Sequence, residues 1–296
     1  MPRTASALAP LIPLPLPTAW DADRAQVQRE LSDLLTAAGP RHGTVNGAVN
    51  GAVNPVQACM EYVTLGEGQR IRPLLAIRVG RLCGAPEPLV TRAAAAIEIL
   101  HCASLIVDDL PAMDNANERR GKPAAHVAFG EPAAVLAAFG MVALAARAIT
   151  EQPCADRFLP AQRRLQQALL KTLDCCSLIG GQMMDIELTG ARRESKREAM
   201  NELKTTPLFL LAMEAGAAYA DTPPYPLLKR FGREYGAAFQ LTDDYLDGEL
   251  TDRPRLHRQY DITGECLAPF GHAGQPLRQL VDYLEERAAA QDRRHR

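Results

Sequence analysis

Clustered acids stand at the ends of two apolar segments of this 296-residue chain. The first cluster follows the run ILHCASLIV and comprises Asp108, Asp109 and Asp114. The second cluster follows AAFQLT and comprises Asp243, Asp244 and Asp247. Carboxylates beside apolar surface are costly to desolvate unless a cation compensates them, and such oxygen donors suit Mg²⁺. For either cluster alone, a helix end that enters a solvated acidic loop is the competing interpretation.

The spacing of the second cluster predicts a helical arrangement. Asp243 and Asp247 are four residues apart and share one helix face, whereas Asp244 is displaced by about 100°. In the first cluster, Pro111 must kink or end the helix just after Asp109. We expect that turn to let Asp114 fold back toward the start of the cluster. Two such clusters facing each other would hold several Mg²⁺ ions that bridge to substrate phosphates.

Basic residues accompany the acidic clusters. Arg70 and Arg72 follow a glycine-rich stretch, Arg119 and Arg120 precede Gly121, and Lys204 with Thr205 begins another helical segment. Arginine matches phosphate oxygens bidentately, and lysine acts as a point charge. Each pair alone is more typical of an exposed basic patch. Together with two Mg²⁺-type clusters, these residues suggest a diphosphate substrate.

The elements that must position these residues are helices. Apolar residues recur at helical spacing between short breaks, and no alternating strand pattern or βαβ rhythm occurs, so the prediction is an all-α protein. The predicted helical segments are roughly 21–38, 56–64, 71–83, 88–109, 132–150, 160–179, 195–219, 226–248 and 275–291. Prolines predict a flexible arm over 1–20, and an Asn-Gly repeat predicts a flexible loop over 40–55. The remaining 21–296 is expected to form one domain.

Composition excludes some classes of protein. A formal net charge of −2 argues against nucleic-acid binding by global electrostatics. The seven cysteines show no zinc-type spacing and are typical of reduced thiols in the cytoplasm. The uncharged apolar run Ala133–Ala146 is too short for a membrane span and suits a buried helix. We therefore expect a cytoplasmic protein without a membrane span.

A series of motifs from Gly66 to Asp247 resembles the trans-isoprenyl diphosphate synthases, which include the farnesyl and geranylgeranyl diphosphate synthases. The two clusters match that family's DDxxxxD and DDxxD motifs. The other matching stretches are GxGxRxRP at 66–73, EILHxxSLIxDDLPAMDN at 98–115, RRGKP at 119–123, FGE at 129–131, GGQxxD at 180–185 and KTTPLF at 204–209. The resemblance implies a single-domain bundle of about ten or more helices around a central cavity, the isoprenoid synthase fold.

The resemblance also implies a reaction, the Mg²⁺-dependent head-to-tail condensation of isopentenyl diphosphate with an allylic diphosphate. All six aspartates would hold Mg²⁺, with three ions expected. Arg119 and Lys204 would bind the allylic diphosphate, and Thr205 and Gln240 would turn dipoles toward the allylic cation. The residues implied for isopentenyl diphosphate are Gln69, Arg72, His101 and Arg120. A homodimer is expected from the resemblance only.

Product length depends on the residues beside the first cluster. Ala103 stands five positions before Asp108, where shorter-product relatives tend to carry a large aromatic residue. A small residue leaves room for a longer tail, so geranylgeranyl diphosphate (C20) is favoured over farnesyl diphosphate (C15). Phe139 and Met141 on the following helix could refill that space.

The chain also departs from the family pattern. Gln69 replaces the usual lysine, and no lysine follows Lys229, although the family carries lysine-bearing loops after the second cluster. Arg253, Arg255 and Arg258 are candidate substitutes. A catalytically impaired regulatory partner subunit is the alternative function, and it would explain these losses. A terpene cyclase shares the fold and one DDxxD motif, but it would not need Arg72 and His101.

Overall fold

The computed structural model describes residues 16–39, 54–188 and 190–294, without the side chains of 190–194 and 294. Within these ranges the chain forms twelve α-helices, three short 3-10 helices at Thr18–Trp20, Asp156–Phe158 and Ala268–Gly274, and one two-stranded hairpin. The α-helices are α1 Asp21–Ala38, α2 Pro55–Leu65, α3 Ile71–Cys83, α4 Glu87–Asp109, α5 Ala125–Phe129, α6 Glu131–Thr150, α7 Leu159–Thr172, α8 Leu178–Glu187, α9 Gly190–Ala217, α10 Tyr225–Leu246, α11 Arg253–Glu265 and α12 Gln275–Arg294. The strands are β1 Glu118–Arg119 and β2 Lys122–Pro123, which pair antiparallel. The all-α prediction is confirmed.

Helix α4 runs through the centre of the bundle. It packs against α1, α3, α6 and α9, and the consecutive residues Ala93, Ala94, Ala95 and Ala96 are fully buried. Small residues on every face let neighbouring helices approach closely, as expected of a helix that is apolar all round. The first acidic cluster therefore lies at the end of a largely buried helix.

The end of α4 agrees with the prediction made from Pro111. The helix stops at Asp109, and the backbone amide of Asp114 donates to the carbonyl of Asp108 at 3.0 Å. Proline cannot continue a helix because it lacks an amide hydrogen and its ring clashes with the preceding turn. The chain consequently curls back, and the third aspartate lies beside the first two.

Three helical regions differ from the sequence-based segments, and one of them is the short α5, which lies in no predicted segment. The predicted helix over 160–179 is broken, because the Asp174 carboxylate accepts from the amide of Cys176 at 3.1 Å and turns the chain. The second part restarts as α8. Helix α11 was not predicted, since only Leu256, Tyr260 and Thr263 of this polar segment are buried. Its start carries a recognisable signal, because the Asp252 side chain accepts from the amide of Arg255.

The arm and loop predictions fall largely outside the described residues, which exclude 1–15 and 40–53. The described end of the arm forms a turn of 3-10 helix, and Trp20 is fully buried. Two helices, α4 and α6, are long and apolar enough to cross a membrane by length and composition. Both pack against each other in the core, and a core helix can have the same length and composition.

Candidate active site

The first acidic cluster is surrounded by cations from the adjacent hairpin and from α9. Arg119 donates from Nε to the Asp109 carboxylate at 3.0 Å, while Lys204 lies 4.0 Å from Asp108. Burial raises the pKa of Asp108 to about 6, an effect that Lys204 opposes. Asp114 adds like charge and raises the pKa of Asp108 further. The cluster thus holds carboxylates that are poorly hydrated and only partly compensated.

The β1–β2 hairpin directs its two arginines to opposite sides. Arg120 and Gly121, the two turn residues, both have positive φ, at 56° and 72°. That backbone geometry is typical of a tight two-residue hairpin turn. Arg119 thereby reaches the first cluster, whereas Arg120 donates to the carbonyl of Glu67 at 3.0 Å. The hairpin therefore connects the acidic cluster to the loop that precedes α3.

That loop is held by a buried ion pair. Arg70 has a positive φ of 56°, and its guanidinium lies 2.7 Å from the Glu98 carboxylate on α4. The same guanidinium donates to the carbonyls of Thr64 and Gly66. Fully paired in this way, Arg70 fixes the loop and does not face the clusters. Arg72, two residues later, begins the cationic part of the site.

Arg72 and His101 form a contact between α3 and α4. Their nitrogens lie 3.3 Å apart, and burial together with the Arg72 charge lowers the pKa of His101 well below its usual value. The Arg72 guanidinium carbon lies 4.7 Å from the centroid of the Phe209 ring and 5.6 Å from that of Phe239. The buried Nε of Arg72 has no hydrogen-bond partner among the described residues, and a neutral histidine beside such an arginine suits an anionic ligand.

The second acidic cluster stands at the end of α10 with cations from α9 and α12. Arg287 donates to Asp243 at 3.1 Å, and Arg197 lies 3.9 Å from Asp244. Burial raises the pKa of Asp243 to about 6, against the effect of Arg287. Burial also raises the pKa of Asp244 and of Asp247. Asp247 itself is exposed at the helix end.

Helix α9 joins the two clusters through consecutive residues. Lys204 binds Asp185 of α8 at 2.7 Å and faces Asp108. Thr205 donates to the Gln240 amide oxygen at 2.7 Å, and Gln240 donates in turn to Asp244 at 2.7 Å. Two consecutive residues of α9 therefore contact different clusters, Lys204 the first and Thr205, through Gln240, the second.

Close packing of α8 on α9 sets the position of Lys204. A Cβ atom added to Gly181 would lie 2.4 Å from the Lys204 amide nitrogen and 2.5 Å from the Leu203 carbonyl carbon. Only glycine allows the two backbones to approach so closely. Asp185 lies one turn further along α8, where its carboxylate meets Lys204. The sequence motif GGQxxD contains both residues, but Asp185 was not predicted as part of the site.

The predicted site residues divide into three groups. The first group contacts the acidic clusters and comprises Arg119, Lys204, Thr205 and Gln240. The second group lies on one side of the site and comprises Arg72, His101 and Arg120. Gln69 lies at the same side and donates to the Tyr283 hydroxyl of α12 at 3.0 Å. Of the product-length candidates, Ala103 and Met141 are buried, whereas Phe139 is 70% exposed. Phe139 therefore does not fill a space inside this single chain.

Arg287 and Asp185 are the main site residues that sequence reasoning missed. Arg287 lies 44 positions after Asp243, and nothing in its local sequence points to a site. Arg253 and Arg255, suggested from sequence as replacements for the missing lysines, instead contact Asp292 at 2.5 Å and Glu198 at 2.6 Å. Arg258 is exposed on α11.

The donor atoms of both clusters fit Mg²⁺, which prefers carboxylate oxygen. Within the described residues, no three Asp, Glu, His or Cys side chains converge closely enough to enclose a metal ion. Mg²⁺ is usually bound through one or two carboxylates together with water and substrate phosphates. Two acidic clusters that leave coordination positions to water and phosphate suit that mode.

The helical bundle, with acidic clusters at the ends of two helices and basic residues between them, is of the isoprenoid synthase class. The chain belongs to the polyprenyl synthetase family, whose model matches residues 53–279. It is 34% identical to the geranylgeranyl diphosphate synthase of Pantoea ananas over 234 residues, which cover 77% of this chain and 72% of the relative.

Two further relatives agree with this family. The chain is 37% identical to geranylgeranyl pyrophosphate synthase 10, mitochondrial, of Arabidopsis thaliana over 201 residues, 65% of this chain. It spans 57% of that relative's length, little more than half. The fold is similar to a crystal structure of geranyltransferase from Legionella pneumophila with a TM-score of 0.78 and 29% identity, covering 92% of this chain and 97% of the other.

Proposed function

We propose that the protein condenses isopentenyl diphosphate head to tail with an allylic diphosphate. The observation that carries this proposal is the connection of the two acidic clusters through Lys204 and Thr205 on α9. Lys204, the proposed phosphate-binding cation, lies beside the first cluster, and the Gln240 amide, the proposed dipole, lies beside the second. The similarity to geranylgeranyl diphosphate synthases supports the same reaction.

The six clustered aspartates are the proposed Mg²⁺ ligands, with three ions expected. Bound Mg²⁺ would neutralise the diphosphate of the allylic substrate and stabilise it as a leaving group. Arg119 and Lys204 bind the same diphosphate from the protein side. Their present partners, Asp109 and Asp185, keep both cations oriented toward the first cluster.

The reaction breaks the bond between the allylic C1 and its diphosphate oxygen and leaves an allylic cation. The Thr205 hydroxyl oxygen and the Gln240 amide oxygen stabilise that positive charge as oriented dipoles. The double bond of isopentenyl diphosphate attacks C1, which forms the new carbon–carbon bond. A proton then leaves the isopentenyl unit and passes to the departing diphosphate.

Arg72, His101 and Arg120 are proposed to hold isopentenyl diphosphate. The three side chains come from α3, α4 and the hairpin, on the side of the site where Gln69 meets α12. Because burial keeps the His101 imidazole neutral, we assign it the role of a hydrogen-bond donor and not of a counter-ion. Because the aspartates are assigned to the allylic diphosphate, we expect isopentenyl diphosphate to bind with less dependence on Mg²⁺ than the allylic substrate.

We further propose that the product is geranylgeranyl diphosphate in preference to farnesyl diphosphate. Ala103 is buried on α4 one turn before the first cluster and is small enough to leave space for a longer tail. An Ala103→Phe variant is expected to shorten the product by at least one isoprene unit. Met141 is buried on α6 and is the remaining candidate inside the chain for a residue that limits the length of the product tail.

The exposed face of α6 supports a homodimer. Leu136 is 56% exposed and Phe139 is 70% exposed, and Val127 of the neighbouring α5 is also exposed. A contiguous apolar stripe on a helix is typical of an interaction surface. Phe139→Asp should produce a monomer in analytical ultracentrifugation, whereas Leu170→Asp on α7, also at an exposed apolar position, should not.

A cytoplasmic location without a membrane span completes the proposal. All seven cysteines are free, which suits a reducing compartment. Helices α4 and α6 pack within the bundle core, which supports their assignment as internal helices.

Incubation with Mg²⁺, isopentenyl diphosphate and each allylic primer tests the function directly, with mass spectrometry of the dephosphorylated products. We expect C20 alcohol as the main product. Absence of elongation with every primer would exclude the synthase and favour the regulatory subunit, whose readout is a change in the products of an added synthase. Release of a cyclic hydrocarbon would instead indicate a terpene cyclase.

A further inference from the structure

Two adjacent cysteines lie in the turn between α7 and α8. Cys175 and Cys176 are the exposed members of the seven cysteines, whereas the other five are buried or partly buried. Burial raises the pKa of the Cys59 thiol to about 11 and that of the Cys102 thiol to about 12, which keeps both protonated. Because a cysteine reacts with oxidants as an accessible thiolate, the turn is where an oxidant meets this protein first.

The two exposed thiols are one peptide bond apart, so a disulfide between them closes a small ring that contains this peptide bond. Consecutive Cα atoms are about 3.8 Å apart across a trans peptide, whereas residues joined by a disulfide usually have Cα atoms about 4.4–6.8 Å apart. Ring closure therefore reorients the peptide between Cys175 and Cys176. The resulting bond is strained and exposed, which is typical of disulfides that are readily reduced again.

The turn can change shape without breaking a helix, because neither cysteine belongs to one. Its present shape depends on Asp174, whose carboxylate accepts from the amide of Cys176 at 3.1 Å and whose carbonyl accepts from the amide of Ser177 at 2.9 Å. The Cys176 amide belongs to the peptide that the ring would contain. Ring closure therefore competes with this hydrogen bond.

The carbonyl of the same peptide packs against the first turn of α8. A Cβ atom added to Gly180 would lie 1.9 Å from the Cys175 carbonyl oxygen, so only glycine allows this approach. Rotation of the peptide between Cys175 and Cys176 moves this oxygen relative to Gly180. The start of α8 must then shift, because closely packed backbones leave no space that absorbs the movement.

Helix α8 carries such a shift to the first acidic cluster. Gly181, the next residue, packs so closely on Lys204 that an added Cβ atom would lie 2.4 Å from the Lys204 amide nitrogen. Asp185 of the same helix binds the Lys204 ammonium group at 2.7 Å, and that group lies 4.0 Å from Asp108. A change in the turn therefore alters the position of the lysine that is assigned to the allylic diphosphate.

We propose that Cys175 and Cys176 form a reversible oxidation site, at which hydrogen peroxide converts the two thiols to a disulfide and thereby displaces α8 and Lys204. One thiolate attacks a peroxide oxygen, the O–O bond breaks, and a sulfenic acid forms. The sulfur of the second cysteine attacks the sulfenic sulfur, so the S–S bond forms and the S–O bond breaks. The two thiols lose two electrons and two protons, and the peroxide is reduced to two molecules of water.

Mass spectrometry tests the formation of the disulfide, which does not depend on the proposed function. Cleavage at Lys171 and Arg192 releases a peptide that contains both turn cysteines and no other cysteine. After the full-length protein is treated with hydrogen peroxide and alkylated, this peptide should be unalkylated and lighter by two hydrogen atoms. Dithiothreitol should restore alkylation of both thiols. Alkylation of both thiols after peroxide, or a cross-link from either to another peptide, would overturn the proposal.

Steady-state kinetics test the displacement of Lys204, an effect that rests on the proposed function. Oxidation should lower kcat about tenfold and raise the KM of the allylic substrate, with the KM of isopentenyl diphosphate changed less than twofold. Dithiothreitol should reverse both effects. The double variant Cys175→Ser with Cys176→Ser should behave as the untreated wild type with and without peroxide. Cys154→Ser, at a partly buried position outside the turn, is the matched control and should lose activity as the wild type does. Equal losses in the wild type and the double variant would contradict the assignment.

Hydrogen exchange separates this inference from the proposed function. If the wild type elongates no primer, the proposed function fails, and faster amide exchange over 178–187 in the oxidised protein still tests the shift of α8. If the wild type elongates normally and the disulfide leaves kcat, both KM values and this exchange unchanged, only the inference about the turn fails.

Discussion

The two acidic clusters lie at the ends of two helices of the same bundle, but the origin of the cations around them differs. The first cluster lies on a chain reversal at Pro111, and its arginine comes from a hairpin only ten residues away. The second cluster continues a regular helix, and its arginines come from α9 and α12, about 45 residues distant in either direction. The arginine of the first cluster is therefore local in sequence, with Lys204 of α9 as its distant cation, whereas both arginines of the second cluster depend on the packing of separate helices.

This difference affects the charge balance of each cluster. Asp109 is held by an adjacent arginine with several donor atoms, and Asp108 faces a lysine that is itself bound to Asp185. In the second cluster, Arg287 contacts one carboxylate, and Asp244 receives an amide hydrogen from Gln240. Displacement of these partners by Mg²⁺ should thus require more rearrangement at the first cluster.

The largest expected effect tests whether both clusters act as metal sites. Asp108→Asn and Asp243→Asn should each lower kcat by about 1,000-fold or more, because each removes charge from the ion that stabilises the leaving group. Asp247→Asn, at the exposed end of the second cluster, should lower kcat by only about tenfold. Single-turnover assays at saturating Mg²⁺ measure these values. Activity within tenfold of wild type for Asp243→Asn would remove the second cluster from the metal site.

The next prediction tests whether the packing of α8 against α9 positions Lys204 beside the first cluster. Gly181→Ala places a methyl group 2.4 Å from the Lys204 amide nitrogen, so α8 and α9 must separate and Lys204 must move. We expect kcat to fall about 10- to 100-fold and the free energy of unfolding to fall by about 2 kcal/mol.

Gly140→Ala is the matched control for that substitution, because its added methyl group would meet only the flexible Met60 side chain at 3.3 Å. It should change stability by less than about 1 kcal/mol and leave kcat unchanged. Equal effects of the two substitutions would show that the close approach at Gly181 does not position Lys204.

The local character of the first cluster explains why its geometry could be predicted from sequence. Pro111 predicts a kink or an end of the helix at this point, and its effect extends over only a few residues. The Arg120-Gly121 turn was not predicted, although it too is a local feature of the backbone. The apolar periodicity likewise predicted helices α3 and α4 nearly to the residue. The clusters themselves were recognisable because aspartates at the end of an apolar helix are costly without a partner.

The parts that sequence could not provide depend on helix packing. Arg287 occupies a polar segment, EERAAAQDRR, in which nothing distinguishes it from Arg293. Only the packing of α12 against α10 and α3 brings it to Asp243. Phe139 illustrates the converse, since its apolar character suggested burial, whereas the orientation of α6 leaves it exposed. Apolar periodicity shows which residues of one helix share a face, but it does not show which other helix packs against that face.

A third prediction compares the electrostatic cost of the clusters in the metal-free protein. Burial raises the pKa of Asp108 from 3.8 to about 6. Between these values the folded state keeps a proton that the unfolded state releases, so stability falls as pH rises, and the loss is complete above about pH 6. Asp108→Asn should therefore raise the free energy of unfolding by about 1–2 kcal/mol at pH 7.5 and by much less at pH 4.5.

Denaturant unfolding in EDTA at both pH values measures this gain, with the exposed Asp221→Asn as control. Asp243→Asn should give a smaller gain, because its carboxylate already accepts a hydrogen bond from Arg287, and the substitution leaves that arginine without a charged partner. A gain at Asp108 that does not depend on pH would contradict the electrostatic explanation.

The smallest expected effect concerns the polar contacts between α9 and the second cluster. Thr205→Val removes the hydroxyl that donates to Gln240 while it keeps the branched shape, so the Gln240 amide loses one of the two hydrogen bonds that orient it. One neutral hydrogen bond contributes about 1 kcal/mol, which corresponds to a fall in kcat of about fivefold. Thr206→Val, at the adjacent buried position, is the matched control and should change kcat less than twofold. If the orientation of Gln240 matters for the allylic cation, the loss at Thr205 should appear in kcat and not in the KM of either substrate. A change confined to KM would mean that Thr205 contributes to substrate binding and not to stabilisation of the allylic cation.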